Sequence, residues 1–117
     1  MLARNMAEQY SKAGMRVAAI HDVNPHVMAA AAKTIEEQFA ANGATETTVR
    51  ACETGEELLG LDDLDLVMVT TTSDSHAEFV LPALQTSKKV YCDKPLAHTV
   101  ADCVRIVEAS TTAKPSN

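Results

Sequence analysis

Three short polar segments stand directly behind apolar runs: His21-Asp22-Val23-Asn24 after Val17 to Ile20, Thr70-Thr71-Thr72-Ser73 after Leu66 to Val69, and Asp93-Lys94-Pro95 after Tyr91-Cys92. Each carries residue types that do chemistry. Asp22 offers two carboxylate oxygens that can accept from neighbouring hydroxyls, such as those of a ribose, and its charge repels an added phosphate. Thr70, Thr71, Thr72 and Ser73 offer hydroxyls and backbone groups in one short stretch. Lys94 offers a cation. Two plainer readings stand beside these: Asp22 reads equally well as part of a turn with Asn24 and Pro25, and Lys94 taken alone reads as a solvated surface lysine.

The elements that must hold these segments are legible from periodicity. Leu2 to Ala13 carries apolar residues at helical spacing and is followed by Gly14, where a helix end often needs a left-handed residue. Val17 to Ile20 has the pattern of a strand covered on both faces. Asn24 can cap a helix with Pro25 in its first turn, and Val27, Met28, Ala31, Ala32, Ile35 and Phe39 then line one face up to Asn42-Gly43. Thr47 to Cys52 is rich in β-branched residues and predicts a strand, and Thr54 to Leu59 predicts a short capped helix. Asp65 to Thr70 predicts a buried parallel strand lying centrally in a sheet. Ser75 to Thr86 predicts a helix, Lys89 to Cys92 a strand, and Thr99 to Ser110 a final helix with Val100, Cys103, Val104 and Val107 on its apolar face.

Strands alternating with crossover-length helices argue for an α/β fold with a doubly wound parallel sheet. In such sheets ligands collect at the carboxyl ends of the strands, where the three polar segments fall. Asp22 ends a strand about 20 residues after the place where a glycine-rich turn would lie, the spacing of a ribose-binding carboxylate, and this favours NAD over NADP.

Composition narrows the function further. A length of 117 residues suits one domain or part of one, and a 46% hydrophobic content with only 3% aromatics predicts an aliphatic core. A formal charge of -6 opposes the phosphate neutralisation that nucleic-acid binding needs. The apolar runs are far shorter than the about 20 residues that span a bilayer, and Met1 to Tyr10 has no signal-peptide core. A cytoplasmic location is expected. Cys52, Cys92 and Cys103 are odd in number and widely spaced, and His21, His26 and His98 show no ligand spacing, so neither a disulfide framework nor a metal site is expected.

Taken together, Val17 to Pro25, Asp65 to Thr71, His76-Ala77-Glu78 and Val90 to Ala97 resemble the glucose-fructose oxidoreductase and inositol dehydrogenase (Gfo/Idh/MocA) family. The resemblance covers almost the whole chain, in the right order. It implies a Rossmann domain for NAD or NADP, followed by an α/β domain that holds a sugar or polyol. Adenosine-ribose recognition then falls on Asp22, and dinucleotide contacts on Thr70, Thr71, Thr72 and Ser73. The family usually has Thr-Pro-Asn near there, so backbone contacts carry over and asparagine side-chain contacts do not. The family's Glu-Lys-Pro motif stands here as Asp93-Lys94-Pro95, which puts Asp93, Lys94 and Pro95 among the cofactor-binding residues and makes Lys94 catalytic as well, beside the nicotinamide and the reacting hydroxyl, where a cation orients substrate and assists proton transfer. Aspartate for glutamate keeps the charge and shortens its reach. The family commonly has histidine at the position of His76, where capping or packing is as good a reading as catalysis.

The family's opening strand and Gly-x-Gly-x-x-Gly turn have no counterpart, because the first glycine is Gly14. In the strand order 3-2-1-4-5-6 the missing strand lies between those ending at Ile20 and Thr70, and its loss leaves open edges that invite association between copies. The expectation is a partial dinucleotide-binding domain over residues 1–110 and a tail or linker over 111–117. It would belong to an oxidoreductase that transfers hydride between NAD and a sugar or polyol hydroxyl, the 117-residue chain being inactive by itself. The alternative is a non-catalytic fragment that binds dinucleotide or another protein.

Overall fold

The computed structural model describes residues 7–113, with side chains from Gln9 onward. They divide into two compact units, one ending at Gly60 and the other starting at Leu61. No helix among the described residues is long and apolar enough to cross a membrane.

The first unit runs α1 (Ala7–Lys12), β1 (Ala19–Ile20), α2 (Pro25–Ala41), β2 (Arg50–Ala51) and α3 (Gly55–Leu59). The expected helix before Gly14 can be followed only from Ala7; Leu2 and Met6 lie outside the described residues. Its end is as expected. Gly14 has φ +71°, and the Met15 and Gly14 amides reach back to the Tyr10 and Ser11 carbonyls at 2.8 and 3.1 Å, so orphan carbonyls of the last turn are satisfied. Gly43, at φ +82°, closes α2 in the same way. At the other end of α2, Asn24 Oδ1 accepts from the amides of His26 and Val27 at 3.0 and 3.3 Å, with Pro25 in the first turn.

β1 and β2 pair in parallel, Ala19 with Arg50 and Ile20 with Ala51. Both strands are shorter than the periodicity predicts. On the β2 side the reason is local: the Thr48 amide, on the side that Arg50 and Cys52 present to β1, donates instead to Glu46 Oε1 at 3.0 Å, while the Val49 amide on the other side donates to Glu36 Oε1 at 2.8 Å. Val17 to Ile20 is half-buried rather than covered on both faces, with β2 as the one strand paired to β1 among the described residues. The core of the unit gathers Ile35 and Phe39 of α2 with Tyr10, Val49 and Cys52. Val27, expected on that buried face, is 51% exposed, because burial along α2 is concentrated at Ile35 and Phe39 and not in the first turn.

The second unit runs β3 (Leu66–Val69), a 3-10 turn (Ser73–Ser75), α4 (His76–Leu84), β4 (Lys89–Cys92) and α5 (Val100–Thr112). β3 and β4 pair in parallel from Leu66 with Lys89 to Val69 with Cys92. The ladder is prolonged by the Lys89 amide on the Asp65 carbonyl and the Asp93 amide on the Val69 carbonyl. Val67 and Val69 are buried and Leu66 and Met68 half-buried, so β3 has one well-covered face. The central position expected for it is not seen among the described residues, where it pairs with β4 alone.

Thr99 caps α5 by accepting the Asp102 amide at 3.1 Å, and the helix runs two residues past the expected Ser110. Residues 114–117 of the expected tail lie outside the described residues. The expected apolar face of α5 is mostly wet: Val100, Val104 and Val107 are 81%, 49% and 54% exposed, and Ile106 is the buried residue. Spacing reveals a stripe but not which of two overlapping stripes a neighbour covers. Across the two units the strands form two parallel pairs, the pairings that the order 3-2-1-4-5-6 leaves when strand 1 is omitted.

Candidate functional site

Asp22 lies two residues beyond β1 with its side chain exposed. Its Oδ1 accepts the Asn24 amide at 2.8 Å, so the carboxylate closes the turn that starts α2. Its other oxygen has no partner among the described residues. The turn reading and the ligand reading of Asp22 are therefore compatible, since one oxygen serves each. His21 beside it makes a contact that spacing did not reveal: its Nδ1 lies 3.0 Å from the Cys52 carbonyl oxygen and links the ends of β1 and β2. Burial pushes the Cys52 thiol up from its ordinary value, with Glu57 adding to the effect and Arg50 opposing it. Cys52 is 2% exposed and packs in the core of the unit.

In the second unit, the parallel register brings two of the three segments together. Val69 is level with Cys92, so Thr70 to Ser73 and Asp93 to Pro95 leave the sheet side by side at its carboxyl end. Thr71 and Thr72 are exposed. Ser75 draws the first loop tight, its hydroxyl lying 2.9 Å from both Thr71 Oγ1 and the Thr72 carbonyl oxygen. The Thr72 hydroxyl, followed by backbone amides, holds the exposed Asp74 carboxyl below its ordinary range. In the second loop, Asp93 Oδ1 accepts the Lys94 amide at 2.9 Å, as its short side chain permits, and the Lys94-Pro95 peptide is cis. Lys94 is exposed, and its amine has no hydrogen-bond or ion-pair partner among the described residues. Cys92, just before it, has its thiol pushed up by burial and then by Asp93.

His76 sits between the loops. It is 1% exposed, its Nε2 is 3.0 Å from the Thr71 carbonyl oxygen, and its Nδ1 is 2.8 Å from that of Pro95. Sequence alone left this residue between capping or packing on one side and catalysis on the other. The signals were a histidine opening a helix just after a run of hydroxyl residues and the histidine common at this position in the family that the sequence resembles. Asp22 belongs to the other unit. Among the described residues, no group of three potential metal ligands occurs.

The family described as "Oxidoreductase family, NAD-binding Rossmann fold" matches residues 2–115. An inositol 2-dehydrogenase of Acidothermus cellulolyticus is 40% identical over 96 residues, which cover 82% of this chain and 25% of that protein. The chain thus spans about a quarter of the length of this curated relative. Two solved structures share the fold. The myo-inositol dehydrogenase from Lactobacillus casei, in complex with NAD(H) and myo-inositol, has a TM-score of 0.73 at 24% identity, covering 96% of this chain and 31% of that one. A levoglucosan dehydrogenase, in complex with NADH and levoglucosan, has a TM-score of 0.73 at 20% identity, covering 95% of this chain and 29% of that one.

Proposed function

The chain belongs to the Gfo/Idh/MocA oxidoreductase family, whose Rossmann fold binds NAD, and from that premise we propose that it supplies the adenosine-ribose and nicotinamide contacts of a cytoplasmic dehydrogenase acting on a sugar or polyol. The observation that carries this reading is the pair of loops at the carboxyl ends of β3 and β4, with the Lys94 amine free of protein partners among the described residues. In this reading Asp22 accepts from the ribose hydroxyls through the oxygen that the turn leaves unused. Thr70, Thr71, Thr72 and Ser73 line the dinucleotide with backbone and hydroxyl groups, and Asp93 and Pro95 shape the loop that presents Lys94. NAD, when bound, supplies the acceptor for a hydride. Lys94 orients the substrate hydroxyl and helps move its proton. Residues 1–110 make up the nucleotide-binding part, and a second domain, joined through the segment after residue 110, holds the substrate.

Asp22→Ala tests this reading. Hydrogen bonds to a charged group contribute about 1.5–3 kcal/mol, so the variant should bind NADH roughly 10- to 100-fold more weakly and lose preference for NADH over NADPH. The measurement is a fluorescence titration with each nucleotide. Absence of NADH binding by the wild-type chain, or an unchanged affinity in the variant, would count against the proposal.

One observation favours a second reading, in which copies of the chain associate. Val100, Val104 and Val107 form an exposed apolar row on α5. Sedimentation should then show dimers or larger species that Val104→Lys disperses; monomer alone at all concentrations would remove this reading.

A further inference from the structure

His76 is the most deeply buried polar side chain among the described residues, and both of its ring nitrogens face carbonyl oxygens from different loops. The Thr71 carbonyl belongs to the loop after β3 and the Pro95 carbonyl to the loop after β4. These oxygens can only accept, so a ring with a single N–H donates to one of them and packs its other nitrogen against the second, and a ring with both N–H groups donates to both. The Cys92 sulfur, 3.4 Å from Nδ1, lies on the same side as Pro95. The ring is fixed at its base as the first residue of α4, directly after the 3-10 turn whose Ser75 hydroxyl holds Thr71 and Thr72. A planar ring with polar atoms on opposite sides, held on a helix, can set the distance between two loops in a way that neither flexible loop can.

We infer that His76 is a positioning residue: it clamps the Thr70–Ser73 loop to the Asp93–Pro95 loop and so fixes where Lys94 is presented. The clamp rests on the geometry, and its meaning for NAD rests on the function proposed above. His76 touches neither substrate nor cofactor in this scheme. It acts by holding the backbone on both sides of the site, and buried polar contacts of this kind cost most when only one partner is removed.

The two contacts can be separated by substitution. The amide nitrogen of asparagine falls near the position of Nδ1 and that of glutamine near Nε2, so His76→Asn should keep the Pro95 side and His76→Gln the Thr71 side. His76→Leu removes both. Val80→Ala, on the same helix and buried at 2% exposure, is the control for general destabilisation. Amide hydrogen exchange on the 117-residue chain is read at Thr72 and Ser73 and at Lys94 and Leu96. His76→Leu should speed exchange in both loops by roughly 10-fold, His76→Asn chiefly in the first and His76→Gln chiefly in the second, with Val80→Ala affecting neither preferentially. NADH titration should show His76→Leu weaker than Val80→Ala at a temperature where both are folded. If the asparagine and glutamine variants behave alike, or if Val80→Ala loosens the loops as much as His76→Leu, the clamp is overturned. If the wild-type chain binds no NADH, the cofactor reading fails, and the exchange pattern alone decides the clamp.

Discussion

Replacing Lys94 with methionine should lower the turnover of hydride transfer by roughly 10²–10⁴-fold, the range in which a positioned proton-transfer group contributes. Methionine keeps the length of the side chain and removes the charge. Because the Lys94 amine bonds to nothing else among the described residues, the substitution leaves no orphaned partner, and folding should be untouched. NADH affinity should change little, since the contacts assigned to Asp22 and to Thr70 through Ser73 are untouched. The measurement is NADH formation from a polyol by a hybrid in which another family member supplies the opening strand, the glycine turn and the substrate domain around this chain, with wild-type and methionine forms compared at saturating NAD. A fall in kcat with unchanged cofactor affinity fits the assignment. Equal turnover in both forms would remove Lys94 from the chemistry and leave it as the solvated lysine that its sequence surroundings suggest.

The largest effect on stability is expected at Phe39. Its side chain is 2% exposed, next to Ile35 at 1% on the same face of α2, in a unit that ends at Gly60. Phe39→Ala removes most of a buried ring and leaves a cavity, a change that costs about 3–5 kcal/mol. Small domains have only about 5–15 kcal/mol in total, so this one substitution should remove a large share of the stability. The Phe39 carbonyl also accepts the Ala44 amide at 3.0 Å in the turn that ends α2, and the backbone bond survives the substitution. The effect should therefore come from packing alone. Urea unfolding followed by circular dichroism measures it as a lower midpoint with an unchanged slope. A loss below about 1 kcal/mol would mean that Phe39 is not a centre of this core.

The sequence by itself determined the order and type of the elements, because those follow from local rules. Asn24-Pro25 and Thr54 start helices through their own side chains, Gly14 and Gly43 end them at positive φ, and Leu66 to Val69 is too apolar for a loop. It also determined that Asp22, Thr70 to Ser73 and Asp93 to Pro95 stand at strand ends, since each is defined by the run before it. Tertiary structure decided what depends on partners distant in the chain. The short ladder of β2 reflects Glu46 taking the Thr48 amide on the side facing β1. The wet face of α5 was set by which overlapping stripe meets α4, and periodicity is blind to that rotation. The same limit applies to His76, whose two acceptors lie 5 and 19 residues away. Only the parallel pairing of β3 with β4 brings both carbonyls to opposite sides of one ring, and so turns a histidine that sequence leaves between cap and catalyst into a link between the two loops.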